Sequence, residues 1–369
     1  MPTVNGPRIF ALNAHAGYAC QHSHACCTAG WAIPVEPARA HLLGGDWLLP
    51  ADDGACPQLD RQGGRCRVHR EHGESALPDS CHHFPRRSLI DARGTFVSLS
   101  HFCPTAARLL LGESAPLAIV ESPAAFPGER EYDGLDARDE WPPLLRPGVL
   151  FDFDSFTVWE RFLVSTCESR GSNLQSALAL LANAAEDLRT WRVEEGPLLQ
   201  WTERVLATHT SAATAVPASN ANGALLQRYA RYIGVDAYRA VCSTIPAGLE
   251  APLLPDDLDA VDAACVAPGW SARDASLRRF LGAKAFASWT AYQSCGVRTQ
   301  VAELVATASV LRVECARACA RSGRVLDADE VVEAVRMTDY LLIHLADRSA
   351  LTAWLDAAED TRAETLAGS

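Results

Sequence analysis

Seven cysteines, Cys20, Cys26, Cys27, Cys56, Cys66, Cys81 and Cys103, fall in the first third of a chain of 369 residues. The stretch from Cys20 to Cys27 carries three thiols and two imidazoles, His22 and His24, within eight residues. Thiolates are soft, anionic donors that bind zinc and iron well, and a short loop can point several at one centre with little loss of chain freedom. Cys56, Cys66, Cys81 and Cys103 would close such a centre by folding back onto it. Four ligands suffice for tetrahedral zinc or for each iron of a cluster, so seven thiols could serve one site with spares, or two sites. The spacing leaves zinc, iron and an iron–sulfur cluster all open, with His22 and His24 as possible additional ligands. His69, His72, His82, His83 and His101 flank the thiols as further ligands or as donors that orient one, although each taken singly reads better as a solvated surface histidine.

Two other uses of cysteine compete. An odd count of seven fits poorly with complete disulfide pairing, and a reducing compartment disfavours it further. Cysteine is also a small core residue, and that is the better reading of Cys315 and Cys319, one turn apart in an alanine-rich stretch.

The 33 Lys+Arg against 45 Asp+Glu give a net charge of −12, which speaks against a non-specific nucleic-acid binder, since neutralising phosphates needs a basic surface. Residues 1–17 lack the basic and long apolar regions of a secretory signal, and no run of eighteen apolar residues occurs. A cytoplasmic protein without a membrane segment is expected.

The elements that must carry the thiols differ in texture along the chain. Residues 1–111 are dense in Gly, Pro, Cys and His and read as an irregular module. Short helices are expected near 36–43 and within 65–72, with a turn at 91–94, a strand at 94–99, and a helix over 105–111 opened by Pro104. Recurrent prolines mark 112–150 as a linker. From 151 to 369, apolar spacing near 3.6 predicts amphipathic helices over 155–169, 173–193, 197–209, 224–233, 271–291, 298–322 and 327–349. The fold class expected is mainly α, with a Cys/His-rich metal-binding N-terminal module packed on a helical C-terminal body.

Nucleotide motifs are missing. No strand leads into a Gly-x-Gly loop, so Gly44-Gly45-Asp46 and Gly63-Gly64 read as turns, and the Cys-x-x-x-Cys-x-x-Cys spacing of radical enzymes does not occur. The carboxylates Glu74, Asp79, Asp91, Glu303 and Asp339 cannot be ranked by sequence. Arg336, Asp339 and His344 share a helical spacing that reads most simply as a surface ion pair.

Five elements occur in order: Cys26-Cys27-Thr-Ala-Gly30-Trp31, Cys56-Pro57-Gln-Leu59, Cys66-Arg-Val-His69, Cys81-His-His-Phe84-Pro85-Arg86, and Ser100-His-Phe-Cys103-Pro104. This series resembles the cysteine-cluster family described as zinc- or iron-chelating, and within it is most similar to the flagellin lysine-N-methylases. Phe280-Leu-Gly-Ala-Lys284 and Arg336-Met-Thr-Asp339, followed by His344, extend the likeness more loosely. The family's opening signature usually carries a further cysteine where this chain has His22 and His24. The resemblance implies a methyltransferase that uses S-adenosylmethionine on a lysine-bearing protein such as flagellin. A non-catalytic zinc or iron chelator, a metal-delivery partner or a redox sensor is the alternative. In such a site Pro57, Pro85 and Pro104 would fix the backbone beside a thiol. Trp31 and Phe84 would shield the centre, and Arg86 and Arg108 would offset thiolate charge.

Overall fold

A five-stranded sheet joins the N-terminal third to the rest of the chain. The computed structural model describes residues 8–112, 114–126, 134–169, 173–213 and 227–359. Strands β1 (Ile9–Leu12), β2 (Arg86–Asp91), β3 (Gly94–Leu99), β4 (Ile119–Glu121) and β5 (Gly134–Asp136) lie in the order β4-β1-β3-β2-β5. The expected strand at 94–99 is β3, and its antiparallel partner β2 pairs Leu89 with Phe96. β1 runs parallel to β3. Alternation along the strands separates the two faces. Leu12, Leu89 and Phe96 enter the large core of the helical body, while Ala11 and Val97 pack with Ala125 on the other side.

The stretch read as a linker is therefore built into the fold over its described residues: it supplies β4, β5 and the short pair Leu144–Arg146 with Val149–Leu150. Strands this short carry too little alternation to stand out among prolines.

Between β1 and β2 the chain forms a small lobe of short pieces: helices α1 (Pro37–Leu43), α2 (Arg67–His72) and α3 (Asp79–His83), and two hairpins of two-residue strands. Its own buried cluster consists of Val35, Leu43, Leu48, Val68 and Leu77, with Cys56, Cys66 and Cys81 packed against it. The glycine pairs are turns, as expected: Gly44 ends α1 in the left-handed region at φ +85°, and Asp60 Oδ1 accepts from the N–H of Gln62 and Gly63 in the second hairpin.

After the lobe, α4 (Pro104–Gly112) opens at Pro104. The body follows as α5 (Phe153–Glu168), α6 (Leu174–Arg189), α7 (Leu198–Ala213), α8 (Gly234–Cys242), α9 (Ala267–Ala285), α10 (Val297–Ser322), α11 (Ala328–Asp339) and α12 (Arg348–Asp356). The mainly helical class holds. Side-chain caps set several starts: Asp152 accepts from Ser155 N–H at 2.9 Å and Asn173 from Ser176 N–H at 2.8 Å. The 26-residue α10 is buried along most of its length and packs against α6, α8, α9 and α11.

Three helices differ from expectation. Within 227–233 only residues 227 and 228 are helical, followed by a 3-10 turn, Ala230–Tyr232, with 224–226 outside the described residues; a new helix begins at Gly234, whose φ of +78° breaks continuity. The helix expected over 271–291 ends at Ala285, because Ala287 takes a left-handed φ of +52° and its N–H donates to buried Glu160 at 3.1 Å. The last long helix leaves α geometry after Asp339, continues as a π turn at Tyr340–Leu345, and gives way to α12, which Asp347 caps. Among the described residues no helix is long and apolar enough to cross a membrane.

Candidate metal centre

The thiols sit where elements begin or turn. Cys26 and Cys27 lie in the 3-10 turn Ala25–Thr28, Cys66 caps α2, Cys81 is inside α3, and Cys103 directly precedes α4. Cys56 N–H donates to Cys27 carbonyl oxygen at 2.7 Å and Gly30 N–H to Gly54 at 3.1 Å, which ties the two thiol loops together. His22 and His24 both hold left-handed backbone, φ +54° and +51°, in the loop between Cys20 and Cys26. Such geometry in a residue with a Cβ persists only where surroundings enforce it.

All seven cysteines line one cavity of about 460 Å³, together with His22, His24, His69 and His82. Cys26, Cys27, Cys56 and Cys81 also line a neighbouring cavity of about 170 Å³, so these four, with Phe84, lie between the two. Cys26 and Cys27 Sγ are 4.0 Å apart. The Cys27 thiol is raised by its hydrogen bond with Cys26, and Cys66 by Cys27 and burial; burial and the surrounding sulfurs raise Cys81. All thirteen cysteines are free thiols.

The donors share a cavity without converging on a point: among the described residues no three His, Cys, Asp or Glu side chains group closely enough to hold a metal ion. A single zinc needs four donors at about 2.0–2.3 Å from one atom, and that arrangement is not preformed. Sulfurs distributed around a volume suit a cluster of several irons better, because each thiolate then reaches a different metal atom.

The histidines separate into two groups. His22 and His69 are edge to face at 4.5 Å on the cavity wall, and the His24 ring lies over Gly64. His72 is exposed at the end of α2, and His83 is buried against Phe126, neither lining the cavity. His101, although two residues before Cys103, points away from the thiols. Its N–H and Nδ1–H donate to Asp339 Oδ2 at 2.6 and 2.9 Å, and its Nε2 pairs with His15 Nε2 at 3.1 Å.

Of the supporting residues, Arg86 lies on the wall with its guanidinium 5.1 Å from the Tyr18 ring, and Tyr18 Oη is 3.5 Å from Cys103 Sγ. Trp31 and Phe84 stack edge to face at 5.5 Å beside the smaller cavity. Arg108 departs from expectation: it is exposed and faces a different groove, with Ala14, Gln21 and Thr105. Among the carboxylates only Glu74 reaches the cavity. Asp79 pairs with Arg39, Asp91 with Arg93, and Glu303 accepts from Ser288 Oγ at 2.8 Å.

Arg336, Asp339 and His344 are not a surface ion pair. Asp339 is fully buried and accepts from Lys284 Nζ at 2.9 Å as well as from His101. Burial works against its charge, but Lys284 and His101 hold the carboxyl well below the usual range. Lys284 is the single lysine of the chain. His15, which completes this buried string, carried no signal in the sequence beyond following an apolar strand.

Compared with known proteins, the chain matches no family model, no curated protein and no solved structure.

Proposed function

We propose that the protein binds an iron–sulfur cluster, or less favourably zinc or mononuclear iron, in the thiol-lined cavity. The cluster would serve a protein-lysine N-methyltransferase that uses S-adenosylmethionine. The observation that carries the first half is the meeting of all seven thiols on one cavity of about 460 Å³. The residues fit such a group. Cys26, Cys27, Cys56 and Cys81 are the four cysteines that line both cavities and are the first choice as ligands, with Cys20, Cys66, Cys103 and the His22, His24 pair around them.

The transferase half rests on the five-element resemblance. Two features are compatible with it. The cavity falls within the 300–1,000 Å³ range of small-molecule sites, so a co-substrate could share it. A net charge of −12 suits a basic, lysine-bearing partner such as flagellin. Methyl transfer requires a neutral amine held in line with the sulfonium carbon, which is a demand on positioning and exclusion of water. The wall that holds Glu74, Arg86 and Tyr18 is where this chain could supply it.

The alternative, a non-catalytic chelator or redox sensor, is favoured by the lack of any Gly-x-Gly nucleotide loop in the sequence. Calorimetry with S-adenosylmethionine on the metal-loaded protein separates the two: heat of binding supports the transferase, and its absence leaves the chelator. Alanine at Cys26 and Cys27 tests the site itself, where unchanged metal content in both variants contradicts the assignment.

A further inference from the structure

Three consecutive residues next to Cys103 are each held by one helix of the body. His344 Nε2 pairs with Ser100 Oγ at 2.8 Å, Asp339 accepts both donors of His101, and Arg336 Nε donates to the Phe102 carbonyl at 3.1 Å. The same helix reaches the opposite loop, where Tyr340 Oη donates to the Ala29 carbonyl at 3.3 Å, just after Cys26 and Cys27. The contacts fall on the last turn of α11 and the π turn Tyr340–Leu345. A π turn widens the helix by one residue, and such turns concentrate at functional sites.

We propose that α11 and its π turn are a positioning device for the metal centre, with Asp339 the positioning residue that sets Cys103 through His101. This rests on the reading of the thiol cavity as a metal site. Asp339 has the geometry for that task. A carboxylate only accepts, so its contact fixes His101 with the proton on Nδ1, and the paired backbone N–H fixes the turn that delivers Cys103. Lys284, from α9, supplies the opposite charge that lets the carboxylate stay ionised at full burial. Cys103 is then held from behind by the body and in front by Tyr18. The inference gives the helical body a role beyond bulk: the metal site is shared between lobe and body, and the lobe alone would hold Cys103 loosely.

The test uses the full chain reconstituted anaerobically with ferrous iron and sulfide. The rate of chromophore loss to a chelator and the visible spectrum are compared in wild type, Asp339→Asn, His101→Leu, His101→Asn and Glu314→Gln. Asparagine at 101 keeps a side-chain N–H for Asp339, and Glu314 pairs with Arg317 and Tyr238 elsewhere in the body. Asp339→Asn and His101→Leu should lose the chromophore about 10- to 100-fold faster, with altered spectra, as when a group orienting a ligand is removed. His101→Asn should stay close to wild type, and Glu314→Gln should lower the melting temperature without changing the spectrum. If Asp339→Asn does not fold, the two His101 variants carry the comparison. A loaded wild type whose variants all lose chromophore only in proportion to their lost stability overturns the inference alone. A wild type that takes up no metal overturns the reading beneath it as well.

Discussion

His344 shows how a single side chain makes the fold sensitive to acid. Burial first, and the Arg87 charge second, push its pKa down from 6.5 to about 3. The unfolded chain takes up this proton near pH 6.5, whereas the folded chain refuses it until about pH 3. The contribution is therefore present above pH 6.5 and lost on acidification, with a slope of at most about 1.4 kcal/mol per pH unit. Denaturant unfolding of His344→Gln should show a shallower loss of stability below neutral pH than wild type; equal slopes would exclude the assignment. At this scale the thiols were legible as a group because of their density, and the fold brings all seven to one cavity. The roles of His101 and Asp339 were not, because partners 238 residues apart leave no local pattern. Asp339 looked like any exposed carboxylate on an amphipathic helix, and Arg108 like a charge beside Cys103, until the direction of α4 was known.

Among the elements, the β2–β3 hairpin is one that a single methyl group should strain. Gly94 has φ +140°, and a Cβ there would lie 2.5 Å from the Arg8 carbonyl oxygen, where β1 approaches. Gly94→Ala is expected to cost about 1–3 kcal/mol, from backbone strain together with an overlap that no rotamer relieves. A melting temperature equal to wild type would mean that the edge can shift. Helices with capped starts and steady periodicity, such as α5 and α6, could be read from the sequence. The failures have local causes: left-handed backbone at Gly234 and Ala287, and a π turn at Tyr340–Leu345, interrupt segments whose apolar spacing carries on regardless. β4 and β5, three residues each, gain their pairing only from strands already assembled.

For the whole molecule, the lobe and the body differ in what holds them. The body buries a large continuous core, while the lobe between β1 and β2 has a buried cluster of its own of only five apolar residues, with Cys56, Cys66 and Cys81 packed against it. So small a core gives little stability of its own, and a metal bound there would become part of its folding energy. Removing metal should raise amide exchange in residues 18–84 by about tenfold or more while α10 stays protected, since local opening follows local contact density. Uniform exchange across both parts would contradict the two-lobe account. The sequence division at 111 marked a change of texture rather than of core, because the sheet that closes the lobe packs on the body.

The central claim is that the seven thiols form one metal centre. Anaerobic purification followed by metal and acid-labile sulfide analysis with a visible spectrum tests it most directly. Iron with sulfide and a brown chromophore, reduced by Cys26→Ala and Cys27→Ala, is the predicted result. A colourless protein that retains neither iron nor zinc, even after reconstitution with both, would contradict it.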